Sequence, residues 1–287
     1  MKQDLIFSRR ADDGFLSSVE IMNQAPAAFA PAPAPTTSGR YGHMNTAQAI
    51  DILDGFGYGV TQAAQKRPRK TENRIYTEHL LAFAPRADRF QGEFRAEIVL
   101  YNSHNATSSL KLFAGCYRFI CSNGLVAGDG FEAIARHSLT NAETFAGMVG
   151  DIAQELPALV DRVEQLKART MSPAAAWEYA AQAAGLRWNA LAEIDDRENA
   201  RGAYYDARTV SDMVAARRYD DQGLNAWAVL NRVQENTIRG GAQVLSITDK
   251  TPAGKYRRAR PVGSVSDAVK INRALWNQAE QFAGVAA

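Results

Sequence analysis

The spacing of apolar residues changes midway along the chain, and this change limits the folds that the sequence can adopt. In the segment FRAEIVLY at 94–101, every second residue is apolar, and Arg95 and Glu97 are among the residues between them. A period of two is typical of a half-buried strand. From residue 140 onward, apolar residues recur at helical spacing. We therefore predict an α+β fold in which an antiparallel β-meander in the first half packs against helices from the second half.

Three or four antiparallel strands are expected between residues 74 and 128. Segment 75–83 is one candidate, and the apolar run 110–121 is another. Asn123-Gly124 follows that run and is a strong hairpin turn signal. A buried helix over 112–121 stays an alternative, because periodicity alone does not separate a buried strand from a buried helix.

Several segments carry the start and stop signals of helices. A helix over 46–54 would be capped by Thr46, and a capping box at Thr140–Glu143 would start a longer helix that Pro157 kinks or divides. Further helices are predicted from Ser172 to Gly185, over about 222–238 and from Ser266 to about 282.

Residues 24–38, QAPAAFAPAPAPTTS, contain an alternating Ala-Pro stretch that favours extended chain and does not continue a helix. This stretch fits a linker or surface arm, and a disordered tail fits it equally well. We predict an N-terminal arm and Ala/Pro-rich linker at 1–39, followed by a single α+β domain at 40–287.

Composition excludes several classes of protein. The net charge is only +2, no run of about 18 apolar residues is present, and the first residues lack an apolar signal core. Two cysteines, Cys116 and Cys121, do not suffice for a disulfide framework or a four-cysteine zinc site. We predict a cytoplasmic protein with no membrane partner, no metal and no cofactor.

Local charge is less even than the total. Residues 62–118 hold ten basic and five acidic residues, and residues 232–260 hold seven basic and two acidic ones. Clusters of Lys and Arg suit a nucleic-acid backbone, and neighbouring aromatic rings can stack on unpaired bases. A charge run is also typical of an ordinary solvated loop. The candidate nucleic-acid-binding residues are Lys66, Arg67, Arg69, Lys70, Arg74, Tyr76, Arg239, Lys255, Tyr256, Arg257, Arg258 and Arg260.

The segment AWAVLNRVQENTIRGG combines an apolar helix face with a polar row that includes Asn231, Glu235 and Arg239. This row and the following glycines could hold a phosphate, or they could tie the helix to the sheet by buried hydrogen bonds. No catalytic residue is assigned, and the sequence favours a non-catalytic protein. The alternatives are a nucleotide- or nucleic-acid-processing enzyme with a site near His104, Asn231 and Glu235, and an anti-defence protein that binds a host factor.

Four stretches carry a resemblance to a known family: RYGHMNT (40–46), the long segment at 97–128, NRVQENTIRGG (231–241) and KINRALW (270–276). They resemble the phage/plasmid-like proteins of "domain of unknown function 932". The resemblance implies a place on mobile elements and a role in DNA replication, recombination or defence evasion. In outline the chain is also similar to phage single-strand annealing proteins. That likeness implies single-stranded DNA as partner and a homo-oligomer in the form of a ring or filament.

Overall fold

The structure is a computed structural model that describes residues 5–7, 14–68, 70–87, 94–118, 123–126, 132–135, 141–197 and 199–285. It contains two compact units. The N-terminal unit comprises Met1–Val160 and Gly263–Asp267, and the C-terminal unit comprises Asp161–Val262 and Ala268–Ala287. The single domain expected over 40–287 stays a prediction.

The N-terminal unit is built on one antiparallel sheet. Its strands are β1 (Leu5–Phe7), β2 (Tyr58–Lys66), β3 (His79–Pro85), β4 (Phe94–Asn102), β5 (Leu110–Arg118), β6 (Asn123–Val126) and β7 (Glu132–Ala135). The strands pair in the order β1 to β6, and β7 also pairs with β5. The unit also contains α1 (Ser18–Gln24), α2 (Thr46–Gly55) and the first part of α3 (Ala142–Ala168), which continues into the C-terminal unit. The predicted meander and the α+β class are confirmed.

Two local predictions differ from the structure, and one alternative is removed. Strand β3 begins at His79, because Thr71–Tyr76 forms a 3₁₀ turn before it. Asn123 and Gly124 are strand residues opposite Arg118 and Tyr117, so they are not the hairpin turn. The run from Leu110 forms strand β5, which removes the helical alternative for its described part.

Strand β4 is more deeply buried than its alternation predicts. Arg95 and Glu97 lie on the face that was expected to meet solvent, yet their side chains are only 3% and 2% exposed. The two form an ion pair, with Nη2 of Arg95 2.7 Å from Oε1 of Glu97. Pairing lowers the cost of removing both charges from water, which is why polar residues can occupy a covered face.

The Ala/Pro-rich stretch packs closely within the N-terminal unit. Ala25, Ala27, Ala28 and Ala30 are fully buried, and the amide of Ala27 donates to the side chain of Gln65 on β2 at 2.9 Å. Small side chains let the backbone approach the sheet at residues 25–30, whereas Pro31, Ala32 and Pro35 are exposed. The arm and linker expected over 1–39 stays a prediction.

The C-terminal unit combines helices with a small second sheet. Its elements are α4 (Pro173–Gly185), β8 (Asn189–Ala190), β9 (Gly202–Tyr205), α5 (Ala207–Val214), α6 (Ala226–Gln234), β10 (Gln243–Thr248), β11 (Thr251–Arg258) and most of α7 (Val265–Ala283). The strand order is β11-β10-β9-β8. The sequence interpretation missed this sheet and α5, because they lie in a half whose apolar spacing is mainly helical.

The predicted helices are otherwise close to the observed ones. Ser172 caps α4 by accepting from the amide of Ala175, as expected. At α2 the cap is Asn45, not Thr46, because the Asn45 side chain accepts from the amide of Ala47. Pro157 lies inside α3 without dividing it. The α6 helix continues as a π-helix over Glu235–Arg239, so the predicted helix at 222–238 starts later and changes its geometry.

Candidate nucleic-acid interface

The β10–β11 hairpin carries the densest group of exposed cations in the described part of the C-terminal unit. Strand β11 pairs with β10 alone among the described strands, which makes it an edge. Lys255 lies opposite Ser246 and Arg257 opposite Val244, whereas Arg258 lies opposite Gln243 on the other face. Arg260 follows the strand, and all four cationic residues are exposed. Charged residues on an edge strand also prevent pairing with other chains, so their position alone does not establish binding.

These four cations differ from several other cations of the same unit, which form ion pairs with carboxylates. Arg201 pairs with Asp249 at 2.6 Å, Arg217 with Asp212 at 3.1 Å and Arg218 with Glu235 at 2.6 Å. Within the described ranges, no carboxylate forms an ion pair with the four hairpin cations. Their charge is therefore available to an anionic partner.

Tyr256 lies among these cations, but its side chain already has two partners. Its hydroxyl donates to Oδ2 of Asp206, and the guanidinium of Arg208 lies 4.3 Å from the ring centroid. The hydrogen bond to Asp206, with a smaller effect of burial, raises the pKa of Tyr256. Burial alone would raise the pKa of Asp206, but hydrogen bonds from Tyr256 and Thr209 outweigh it and lower that pKa. The ring is thus held in place, with a cation over one of its faces.

The predicted basic cluster of the N-terminal unit has fewer exposed cations without an ion-pair partner among the described residues. Lys66 bonds to Glu78 at 3.2 Å, and Lys70 lies 3.8 Å from Glu72 with both side chains about three-quarters exposed. Arg67 and Arg74 are exposed, with no ion pair among the residues described, whereas Tyr76 is half-buried. Arg69 lies outside the described residues.

The two predicted clusters belong to different compact units: Lys66 to Arg74 to the N-terminal unit, and Lys255 to Arg260 to the C-terminal unit. The contribution of each cluster to binding is therefore tested separately. A joint surface made of both stays a prediction.

The glycines after Arg239 have a structural explanation. Gly240 has φ of +78°, and a Cβ atom at this position would lie 2.4 Å from the carbonyl oxygen of Ala259. The amide of Gly241 donates to that same oxygen at 3.1 Å. These contacts join the end of the π-helix to the chain that follows β11. Arg239 itself is exposed at this junction.

The polar row of α6 and the π-helix bonds mainly to its own helix. The side chains of Asn231, Asn236 and Thr237 each donate to the carbonyl four residues earlier, at 2.7 to 2.9 Å. The carboxylate of Glu235 receives two hydrogen bonds from Arg218, at 2.6 and 3.3 Å. These contacts support the interpretation of a buried structural face.

The alternative catalytic trio is not assembled within either unit. His104 belongs to the N-terminal unit, whereas Asn231 and Glu235 belong to the C-terminal unit. His104 and Asn231 are at most 1% exposed. His104 lies in a buried cluster with His79 and Thr46, and its Nε2 is 3.3 Å from the Thr46 hydroxyl. Among the described residues, no group of three or more His, Cys, Asp or Glu is arranged to hold a metal ion.

Two residues of the C-terminal unit were missed by sequence analysis. Arg208 is the second residue of α5 and contacts Tyr256. Tyr219 is 84% exposed, the largest exposed fraction among large apolar side chains in the described ranges. The only sequence signal for Tyr219 is its position directly after Arg217 and Arg218.

Comparison with known proteins identifies relatives and the family of this chain. Two proteins of Escherichia coli (strain K12) are similar over 269 residues, which cover 92% of this chain and 90% of each relative. They are UPF0380 protein YafZ, at 29% identity, and UPF0380 protein YfjQ, at 28%. No solved structure matches the chain. None of the helices within the described ranges is long and apolar enough to cross a membrane. The model of the family "Domain of unknown function (DUF932)" matches residues 35–276, so the chain belongs to that family, as the sequence resemblance predicted.

Proposed function

We propose that this protein binds single-stranded DNA of mobile elements through the exposed cations of β11 and assists recombination or replication. The observation that carries the proposal is the group of four exposed cations, Lys255, Arg257, Arg258 and Arg260, with no ion-pair partner among the described residues. Each phosphate that such a side chain neutralises releases counterions and adds to affinity in a salt-dependent way.

The strand geometry supports an extended ligand. Side chains of a strand alternate between faces, so Lys255 and Arg257 point to one face and Arg258 to the other. Cations are therefore presented along an exposed edge instead of within a closed pocket. A flexible polyanion can follow such an edge, and a single-stranded backbone has that flexibility.

The test is a titration of labelled oligothymidine with wild-type protein and a variant carrying Lys255→Gln, Arg257→Gln and Arg258→Gln. We expect wild-type affinity to fall steeply with salt. The plot of log K against log salt should become shallower in the variant, by about 0.7 for each phosphate that it no longer neutralises. A duplex of the same length measures strand preference, and light scattering of the complex measures assembly into a ring or filament.

A matched control removes the same amount of charge elsewhere in the C-terminal unit. The variant Lys167→Gln, Arg197→Gln and Arg201→Gln also loses three cations, two of which pair with Glu164 and Asp249. It should keep the wild-type salt slope. Equal slopes for all three proteins would contradict the proposal. A second variant with Lys66, Arg67, Lys70 and Arg74 changed to Gln tests the N-terminal unit separately.

A further inference from the structure

The exposed ring of Tyr219 lies on a short turn whose neighbours are fixed to the body of the C-terminal unit. Arg218, directly before it, donates two hydrogen bonds to Glu235. Asp221, two residues after it, is 2% exposed and acts electrostatically on buried Arg232. The backbone on both sides is thus held inward while the ring is directed outward. A tyrosine ring combines an apolar face with a polar hydroxyl, and tyrosine is enriched at interaction surfaces for that reason.

Arg217, which precedes this turn, is connected to the end of the cationic hairpin. Nη2 of Arg217 contacts Oδ2 of Asp212 at 3.1 Å and the carbonyl oxygen of Gly241 at 3.4 Å. Oδ2 of Asp212 also accepts from the amide of Gln243 at 2.9 Å, and Gln243 is the residue opposite Arg258. Tyr219 is only two residues from Arg217, a span of at most about 7 Å of chain. Arg217 is therefore bonded at the end of the hairpin that carries Arg258, and Tyr219 follows Arg217 by two residues.

Tyr219 is better suited to stacking than the tyrosine of the hairpin itself. One face of the Tyr256 ring is covered by Arg208, and its hydroxyl is bonded to Asp206. Tyr219 is 84% exposed, so its ring can accept a planar ligand. Every base has a π-face, whereas only unpaired bases can present one to a protein side chain.

We propose that Tyr219 stacks on an unpaired base of the nucleic acid whose phosphates the β11 cations contact, and that this contact makes the surface selective for single strands. This inference rests on the proposed function and adds the residue that would distinguish single-stranded from double-stranded DNA. Cations alone bind both forms, because both carry the same phosphates.

The experiment compares wild-type protein with Tyr219→Ala, Tyr219→Phe and Tyr219→Trp on labelled oligothymidine and on duplex DNA over a series of salt concentrations. For Tyr219→Ala we expect single-strand affinity to fall by about 5- to 150-fold, the usual range for removing one base-stacking ring. Its salt slope and duplex affinity should stay at the wild-type values. Tyr219→Phe should bind like wild type, since stacking needs the ring and not the hydroxyl. Tyr219→Trp should add a fluorescence signal that is quenched by oligothymidine.

The outcomes separate this inference from the proposed function. If the β11 charge variant loses binding while Tyr219→Ala keeps wild-type single-strand affinity, the stacking role is wrong and the cationic surface stands. An equal loss of single-strand and duplex affinity in Tyr219→Ala would also contradict the inference. If wild-type protein binds neither ligand in a salt-dependent way, both proposals are wrong.

Because the Tyr219 side chain is so exposed, the Tyr219 variants should unfold at the wild-type denaturant concentration. Trp177→Ala on α4 serves as a matched aromatic control.

Discussion

The hydroxyl oxygen of Thr46 lies 2.8 Å from Nε2 of His79, deep inside the N-terminal unit. The Nδ1 atom of His79 is 3.0 Å from the carbonyl oxygen of Thr77, so this nitrogen must be the donor. In neutral His79, Nε2 then accepts the Thr46 proton. The Thr46 oxygen can in turn accept from Nδ2 of Asn102 at 3.1 Å and from Nε2 of His104 at 3.3 Å. One buried hydroxyl thus lies within hydrogen-bond distance of three other polar side chains.

Replacing Thr46 by Val should destabilise the N-terminal unit strongly. The change preserves shape but removes the donor to His79 and the acceptor for Asn102 and His104. We expect the free energy of unfolding to fall by about 3 kcal/mol, because buried polar groups lose their partners. Thr46→Ser keeps the hydroxyl and should lose only about 1 kcal/mol for its methyl group. Urea denaturation measures both, and equal losses in the two variants would show that the hydroxyl network contributes little.

The pKa of His43, which lies next to His104, predicts how the free energy of unfolding depends on pH. Its ring centroid lies 4.6 Å from that of His104. Burial lowers its pKa from 6.5, and hydrogen bonding to the carbonyl of Ala30 only partly opposes this effect. The folded protein therefore binds fewer protons than the unfolded chain when the pH falls below about 6.5. The free energy of unfolding should therefore decrease as the pH is lowered through about 6.5, the pKa of histidine in the unfolded chain.

Urea denaturation at several pH values measures this dependence. His43→Gln should reduce its slope, because the imidazole that titrates is gone. Tyr41→Phe removes a neighbouring hydrogen bond to the carbonyl of Ser103 without removing an imidazole, so it should lower stability evenly across the same range. If His43→Gln retains the full wild-type slope, another group is responsible.

Strand alternation and the start of α4 were predictable from the sequence because they depend on residues close together in the chain. The alternation at 94–101 identified β4, and Ser172-Pro173 marked the start of α4. Burial of Arg95 and Glu97 was not predictable, since it depends on which elements cover that face of the sheet. The role of Thr46 was likewise misassigned: its neighbour Asn45 caps the helix, and the Thr46 hydroxyl is used by residues more than thirty positions away.

In the candidate site, too, local features were visible in the sequence, whereas contacts between distant segments were not. The density of cations at 255–260 is a local property and was visible in the sequence, and their exposure agrees with it. The sequence did not show that Asp206 and Arg208 hold Tyr256, because this contact joins α5 to β11 across about fifty residues of chain. Tyr219 was missed for a related reason: only the fold determines whether an isolated tyrosine is exposed.

Gly240 should tolerate no side chain. Its φ of +78° and ψ of −178° lie in a region that is essentially restricted to glycine, and the Cβ of an alanine would lie 2.4 Å from the carbonyl oxygen of Ala259. We expect Gly240→Ala to cost at least about 3 kcal/mol of unfolding free energy from strain and steric overlap. Gly223→Ala is the matched control in the same unit, since Gly223 has φ of +85° but no atom within 4 Å of the added Cβ. It should cost about 1–2 kcal/mol. Thermal or urea unfolding measures the difference, and similar losses would show that the overlap with Ala259 relaxes easily.

The buried ion pair of Arg95 and Glu97 on β4 allows a prediction about the cost of leaving one buried charge unpaired. Oε1 of Glu97 accepts from Nε and Nη2 of Arg95, at 3.2 and 2.7 Å, and from the hydroxyl of Thr61 at 3.0 Å. Glu97→Gln leaves a buried guanidinium without the negative charge beside it and should cost about 3–5 kcal/mol. Changing both residues to Met removes both charges at similar volume, and Thr61 can still donate to the carbonyl of Ala82 at 3.2 Å. We therefore expect the double variant to be more stable than Glu97→Gln, because no unbalanced charge remains in the interior. Urea denaturation of Arg95→Met, Glu97→Met, Glu97→Gln and the double variant gives the coupling energy, and simply additive losses would contradict a mutually dependent pair.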